Sequence, residues 1–301
     1  MTLKQQHIFL QSVRMIAFCL VALLLPLISS SQNLVPNPGF ETVTAKPSAE
    51  DMITLASPWI SLDGTPDLYY AGQTTPPVGP CDKVDVPLNA GGYTQERTSK
   101  NGYAGVKFDF STNYREYVSV PLVVPLTAGE LYRVEFYAIL ADSARWACNG
   151  IGALLSNGRP IQSGSAGPIG FPANIEATTV LSDTANWVLV TGIYQATGGE
   201  NYLTIGLFKG DSDPTLAKTD LGAHASGCSN FENAAYYFID DATVRPVTET
   251  VEIEGDTIIC PYDATVLTAN TNVPIYWSMA PNPLDTLTTD LELTISPLVA
   301  T

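Results

Sequence analysis

The sequence predicts an all-β protein: a jelly-roll β-sandwich followed by part of an immunoglobulin-like β-sandwich. Three observations carry the prediction. After the amino-terminal segment, apolar residues recur at every second position, Gly and Pro interrupt the chain at short intervals, and helix signals are nearly absent.

The elements follow in chain order. Residues 1–31 read as a cleaved secretory signal. Lys4 and Arg14 make a basic start, and "MIAFCLVALLLPLI" is an apolar run too short to span a bilayer comfortably. Ser29 and Ser31 occupy the small-residue positions before a cut that leaves Gln32 as the new terminus. An acylated lipoprotein cysteine belongs at the end of such a run, whereas Cys19 lies in its middle.

Residues 32–247 form the first domain. "LYRVEFYAIL" sets Tyr132, Val134, Phe136, Ala138 and Leu140 on one face and Arg133, Glu135 and Tyr137 on the other, as in a half-buried strand. "YAGVKFDF", "REYVSVPL", "GIGALLS", "NWVLVTGIYQA", "NYLTIGLF" and "YYFIDDATV" add further strands, with short ones near Asn33 and Trp59. Such a set closes as two packed antiparallel sheets. Two long irregular stretches, 61–100 and 209–233, interrupt it, and loops of that length in a compact domain are functional or disordered. Tyr69, Tyr70, Tyr93 and Cys81 mark the first as folded. Residues 248–255 read as an acidic linker, and 256–301 as the truncated start of an immunoglobulin-like sandwich at the front of a longer protein.

Charge narrows the partners. Fourteen Lys and Arg face 30 Asp and Glu, a net charge of −16, and loss of the signal removes Lys4 and Arg14 as well. That excess repels nucleic acid and anionic lipid and favours cations, so no nucleic-acid partner is expected. Nor is an integral membrane segment expected after signal cleavage. Cysteine usage fits an oxidising compartment. Cys81, Cys148, Cys228 and Cys260 allow three pairings, of which Cys148 with Cys228 is preferred because both lie in polar, loop-like segments; no C-x-x-C spacing points to zinc or redox chemistry.

The stretch "YYFIDDATV" poses the sharpest question. Strict alternation puts Asp240 with Tyr236 and Phe238, and Asp241 with Tyr237 and Ile239, so one carboxylate points toward the packed face. Buried charge needs a partner.

In order along the chain, "NLVPNPGFE", "GTPDLYY", "NGYAGV", "YREYVSVPL", "PLTAGELYRVEFYA", "NWVLVTGIYQATGGENYLTIGLF" and "YYFIDDATV" resemble the carbohydrate-binding-module-like domain of galactose-binding-like jelly-roll kind. That domain is found at the front of secreted and surface proteins of Bacteroidetes-type bacteria. The resemblance spans residues 33–247, and the segment after it is similar to the immunoglobulin-like repeats that precede type IX secretion or gliding-motility signals in such proteins. It implies a structural calcium tying the first strand to the last, with Glu41, Asp240 and Asp241 as ligands and Asn37 and Asp63 as further oxygen donors. The alternative is that Asp240 accepts backbone hydrogen bonds while Asp241 faces water.

It also implies a glycan or extracellular-matrix partner, met by exposed aromatic rings and planar polar groups. Trp146, Tyr114, Arg115, Tyr69, Tyr70 and Tyr93 are the expected contacts. Trp59, Tyr103, Trp187 and Trp277 are assigned to cores. No nucleophile elbow, zinc-protease helix or phosphate loop is present, and His224, the one histidine after the signal, reads as a loop residue. The expectation is therefore a non-catalytic secreted or cell-surface binding module. Its rival is a structural or protein-interaction tip of a surface adhesin, and a hydrolase would require a catalytic domain past Thr301.

Overall fold

In a computed structural model, the described residues are 32–73, 79–95, 97, 101–161, 166–222, 228–247, 252–254, 265–270, 277–278, 286–288 and 292–295. The expected signal segment, His224, Cys260, the Trp277 side chain and most of the acidic linker lie outside them. The chain divides into two compact units, Met1–Pro246 and Val247–Thr301.

Period-2 patterning builds the strands of the first unit. They are β1 (Ile60–Asp63), β2 (Asp67–Tyr70), β3 (Leu88–Asn89), β4 (Gly92–Tyr93), β5 (Gly102–Asp109), β6 (Tyr114–Arg115), β7 (Tyr117–Pro121) and β8 (Leu131–Leu140). There follow β9 (Trp146–Cys148), β10 (Ile151–Ser156), β11 (Ile175–Glu176), β12 (Val188–Gln195), β13 (Tyr202–Leu207), β14 (Lys218–Asp220), the one-turn helix α1 (Ser229–Glu232) and β15 (Ala234–Pro246). One sheet runs β1-β7-β13-β10-β11 and the other β12-β8-β15-β5-β2, with β6 joined to β5. Of these, β5, β7, β8, β10, β11, β12, β13 and β15 divide between the sheets so that first pairs with last and second with seventh. That nesting is the jelly-roll order, with both sheets antiparallel. Val134, Phe136 and Ala138 of β8 share one core with Val118, Val120, Ile205 and Leu207 of the facing sheet.

From Ala234 to Asp240, strand β15 is buried on both faces. Tyr237 and Ile239, opposite Leu140 and Ala138, face the core, whereas Phe238 and Asp240, opposite Ile139 and Tyr137, face outward. The outward side is covered as well: Phe231 of α1 packs on Tyr236 at 4.8 Å, and Tyr69, Tyr103 and Phe238 cluster at 4.9–5.5 Å. The segment after β3 crosses this cluster, where Asn89 donates to the Tyr103 hydroxyl (2.8 Å) and that hydroxyl donates to the Thr94 carbonyl (3.0 Å). Gly105 admits this layer, because a Cβ there would strike the Tyr236 hydroxyl and the Tyr69 ring.

The alternation breaks between the two aspartates. Asp240 pairs with Tyr137 but Thr243 pairs with Glu135, so β15 carries one extra residue, and Asp241 takes φ +48°. This β-bulge turns Asp241 out to a half-buried position while Asp240 stays fully buried, its Oδ1 accepting the Asp241 N–H at 2.7 Å.

The ends of the domain are joined by amides. The Asn33 Nδ2 donates to the Ala242 carbonyl (3.1 Å), its Oδ1 accepts the Val244 N–H (3.0 Å), and the Leu34 N–H donates to the Val244 carbonyl (2.8 Å). Asn37, at φ +48°, exchanges 2.9 Å hydrogen bonds with the Thr42 backbone in both directions and also donates to the Ala56 carbonyl. Asn tolerates that left-handed backbone better than most residues. Trp59 donates to the Asn37 carbonyl at 2.8 Å and stacks near Phe40, a core role as expected.

One cysteine expectation is overturned. The disulfide joins Cys81 to Cys228, and Cys148 is free and fully buried. The sequence could not show that the segment before β3 crosses the sheet to reach α1. Cys148 instead sits under Tyr237, whose hydroxyl accepts the Cys148 N–H (2.9 Å), and burial pushes its thiol up to about 12.

The second unit contains β16 (Glu252–Glu254), β17 (Thr265–Asn270), β18 (Trp277–Ser278), β19 (Thr286–Thr288) and β20 (Glu292–Ile295). They form an antiparallel sheet β16-β17-β20 and a pair β18-β19.

Two outcomes are expected. Peptide mapping without reductant should recover Cys81 linked to Cys228, with Cys148 alkylated only after unfolding; a Cys148–Cys228 peptide would refute the pairing. Asn37→Ala should lower the unfolding free energy by about 2–3 kcal/mol in urea titration, the cost of several lost hydrogen bonds to backbone.

Candidate functional site

The cover over the outer face of the β2-β5-β15 layer stops short at one end. There a cleft of ≈ 390 Å³ opens. Asp67, Lys107 and Tyr236 form its floor on three neighbouring strands, and Tyr114 and Glu116 wall it from the β6–β7 edge. Glu50, Asp51, Thr65, Asp109 and Thr112 complete the lining. Gly64, at φ +70°, lets that edge close in, because a Cβ there would lie 2.7 Å from both the Glu116 side chain and the Tyr114 hydroxyl.

Two carboxylates in this cleft are almost wholly buried, Asp67 at 4% and Glu116 at 3% exposure. Each is held as an acceptor. Asp67 takes the Asp51 N–H at 2.6 Å and the Tyr236 hydroxyl, which also meets the Tyr69 hydroxyl at 3.0 Å. Glu116 accepts from the Tyr114 hydroxyl (2.8 Å), the Thr65 hydroxyl (3.2 Å) and the Lys107 N–H (2.8 Å). Burial is the main cause that lifts both acids: Glu116 is raised to about 7 and Asp67 well above its ordinary value, the latter helped by the Glu116 charge. Acids perturbed by burial and gathered in a cleft make this opening the candidate functional site.

The structure gathers few of the residues expected from sequence. Tyr114 is half-buried and lines the cleft. Arg115, expected to be exposed, is fully buried, with its guanidinium on Asp211 (2.5 Å) and on the Lys209 carbonyl (3.1 Å). Tyr69 is also fully buried, because β2 lies under the covering layer rather than in a loop. Tyr70 is half-buried, donating to the Glu41 carbonyl with Lys46 over its ring. Trp146 begins β9, half-buried against Phe110 and beside the Arg145 guanidinium. Tyr93 is 58% exposed on the β3–β4 hairpin, away from the cleft lining. Tyr103 is core as expected, and Trp187 is half-buried against it, with its N–H on the Gln95 carbonyl.

The three residues expected to hold calcium do not fit a shared ion. Glu41 is spent on the turn before β5, where its carboxylate accepts from the Asn101 N–H (2.9 Å), the Asn101 amide (3.2 Å) and the Gly102 N–H (3.2 Å). Asp241 pairs with Arg97 at 2.5 Å, and that guanidinium lies 3.7 Å from the Tyr137 ring. Among the described residues no three Asp, Glu, His or Cys side chains are grouped to hold a metal. Sequence reasoning missed Asp67, Lys107, Glu116 and Tyr236. The signal was there in "GTPDLYY" and "YREYVSV", where charged residues stand directly beside aromatic and β-forming ones.

No protein-family model and no curated protein matches the chain. Among solved structures it is similar to the CBM22-1 xylan-binding domain of Paenibacillus barcinonensis Xyn10C, at 14% identity and a TM-score of 0.36 over 73% of this chain and 97% of that one. TmCBM61, solved with β-1,4-galactotriose, matches at 13% identity and a TM-score of 0.30 over 72% of this chain and 99% of that one. The cleaved adhesin domain of Lys-gingipain from Porphyromonas gingivalis matches at 12% identity and a TM-score of 0.33 over 69% of this chain and 95% of that one. Likeness at this level assigns no ligand. The fold is an all-β jelly roll on its own strand order.

The raised acids give a pH signature. An acid whose folded pKa lies above its ordinary value stabilises the fold below that ordinary value, and the contribution is lost as pH climbs through the folded one. Melting temperature should therefore fall between pH 4.5 and about 7 as Glu116 ionises. Glu116→Gln should flatten that fall; a wild-type profile level across this window would show that Glu116 ionises normally.

Proposed function

We propose that this protein is a non-catalytic glycan-binding module, exported and working at or outside the cell surface, with the Tyr114 cleft as its binding site. The observation that carries the proposal is the cleft's rim. There Asp51 and Asp109 offer acceptors, Lys107 offers a donor, and Tyr114 adds a phenol ring. Vicinal hydroxyls of a sugar donate and accept at once, so a rim of both kinds suits them. These exposed and half-buried groups make the contacts, while the buried Asp67 and Glu116 fix Tyr236 and Tyr114 in place.

Hydrolysis is disfavoured by the same geometry. A glycosidase needs one carboxyl group free to deliver a proton and another free to attack or to activate water. Both oxygens of Asp67 and of Glu116 already accept hydrogen bonds from the protein wall. Even with Asp67 and Glu116 set aside, Glu50, Asp51 and Asp109 stand against one ammonium and make the cleft electronegative, so the favoured glycan is neutral. The carboxyl-terminal unit is read as part of an immunoglobulin-like sandwich. The calcium once expected to brace the module finds no support in the positions of Glu41 and Asp241.

In affinity electrophoresis, neutral xylan, β-1,4-galactan or mixed-linkage glucan should retard the protein, and polygalacturonate should not. Tyr114→Ala should weaken the retardation at least tenfold without loss of fold. Retardation by polygalacturonate alone would contradict the assignment, and capture of a protein partner with a flat glycan panel would favour an adhesin tip instead.

A further inference from the structure

A second groove, of ≈ 470 Å³, is lined by Lys209, whose carbonyl accepts from the buried Arg115 (3.1 Å). The segment Gly170–Ala173 forms one wall, and Glu176 of β11 with Phe208 and Lys209 after β13 forms the other. Among the described residues only two aromatic side chains are more than half exposed, Tyr93 at 58% and Phe171 at 52%. Phe171 lines this groove. Its setting is rigid: Phe208 is buried against Tyr117 at 5.3 Å, within a small apolar cluster that includes Ile169 and Leu154 and packs on Ala173.

The polar side of the groove is also fixed. Lys209 Nζ pairs with Glu176 at 2.7 Å, which cancels their charge. Asp213 is held through Oδ1 by the Thr215 N–H (2.8 Å) and hydroxyl (2.7 Å), and these bonds lower its pKa. An exposed phenyl face beside a carboxylate and a neutralised ion pair offers stacking to the C–H face of a pyranose and hydrogen bonds to its hydroxyls.

We propose that this groove is a second saccharide site, distinct from the Tyr114 cleft, with Phe171 as its stacking platform and Asp213 as an acceptor for ring hydroxyls. It rests on the reading of the module as glycan-binding and adds that the module is bivalent, able to hold two neutral chains or two stretches of one. The first site recognises mainly by hydrogen bonds, the second mainly by the ring.

Isothermal titration of the exported chain with cellohexaose, xylohexaose and galactotriose tests this. The expected result is two sites for at least one of these sugars, one site remaining in Phe171→Ala, and two again in Phe171→Trp. Tyr114→Ala should likewise leave one site, and the double variant none. Unchanged stoichiometry and affinity in Phe171→Ala would overturn the second site while leaving the first standing. Wild-type protein that binds none of the three would overturn the glycan reading, and this site with it.

Discussion

The structure depends on a strand whose first seven residues, Ala234 to Asp240, leave neither face exposed. In a two-layer sandwich the outer side of a central strand is ordinarily wet, yet Tyr236, Phe238 and Asp240 on the outer side of β15 are buried as deeply as Tyr237 and Ile239 on the inner. The sequence compels this, because "AAYYFI" is apolar or aromatic at every position and cannot present a polar face to water. A third layer is therefore required, and the segment between β2 and β5 supplies it. The Cys81–Cys228 bond ties that segment to the chain just before β15, closing a loop of 147 residues. Where the layer ends, the sheet face is left open beside charged groups that are already desolvated, and that opening is the cleft.

The termini are clamped by a side-chain amide. Asn33 bridges from the start of the domain to Ala242 and Val244 at its end. A planar amide does this well, because it donates and accepts across the same gap. Arg97, coming from the covering layer, neutralises Asp241 from above and stacks on Tyr137. The charge that alternation places inside the strand is thus met by a bulge and a guanidinium, both supplied by the chain.

Much of the fold was legible in the sequence. Strand β8 spans the residues its alternation marks, and the five positions predicted to be buried are buried, with Ile139 covered as well. Seven of the eight jelly-roll strands follow the apolar repeats, since period-2 patterning is a local property that each segment carries alone; the two-residue β11 is too short to show one. The site was less legible, for reasons that differ by residue. Tyr69 looks exposed in sequence because it falls in a long irregular stretch and Arg115 because it follows a polar turn, but both are covered by segments distant along the chain. The Cys81–Cys228 pairing depends on the same long-range crossing. The bulge at Asp241 shifts register by one residue, and alternation cannot show where a repeat slips. Phe171 lies in a stretch with no strand pattern, so its exposure emerged only when the loop around it was placed.

The account turns on acids held out of water at the open end of this sheet. Carboxyl-carbon NMR titration of the labelled protein measures that directly. Glu116 should titrate near 7 and Asp67 well above its ordinary range, while exposed acids such as Asp213 titrate below theirs. If Glu116 and Asp67 instead ionise together with the surface carboxylates, the cleft floor is hydrated. The third layer would then not confine the opening as described.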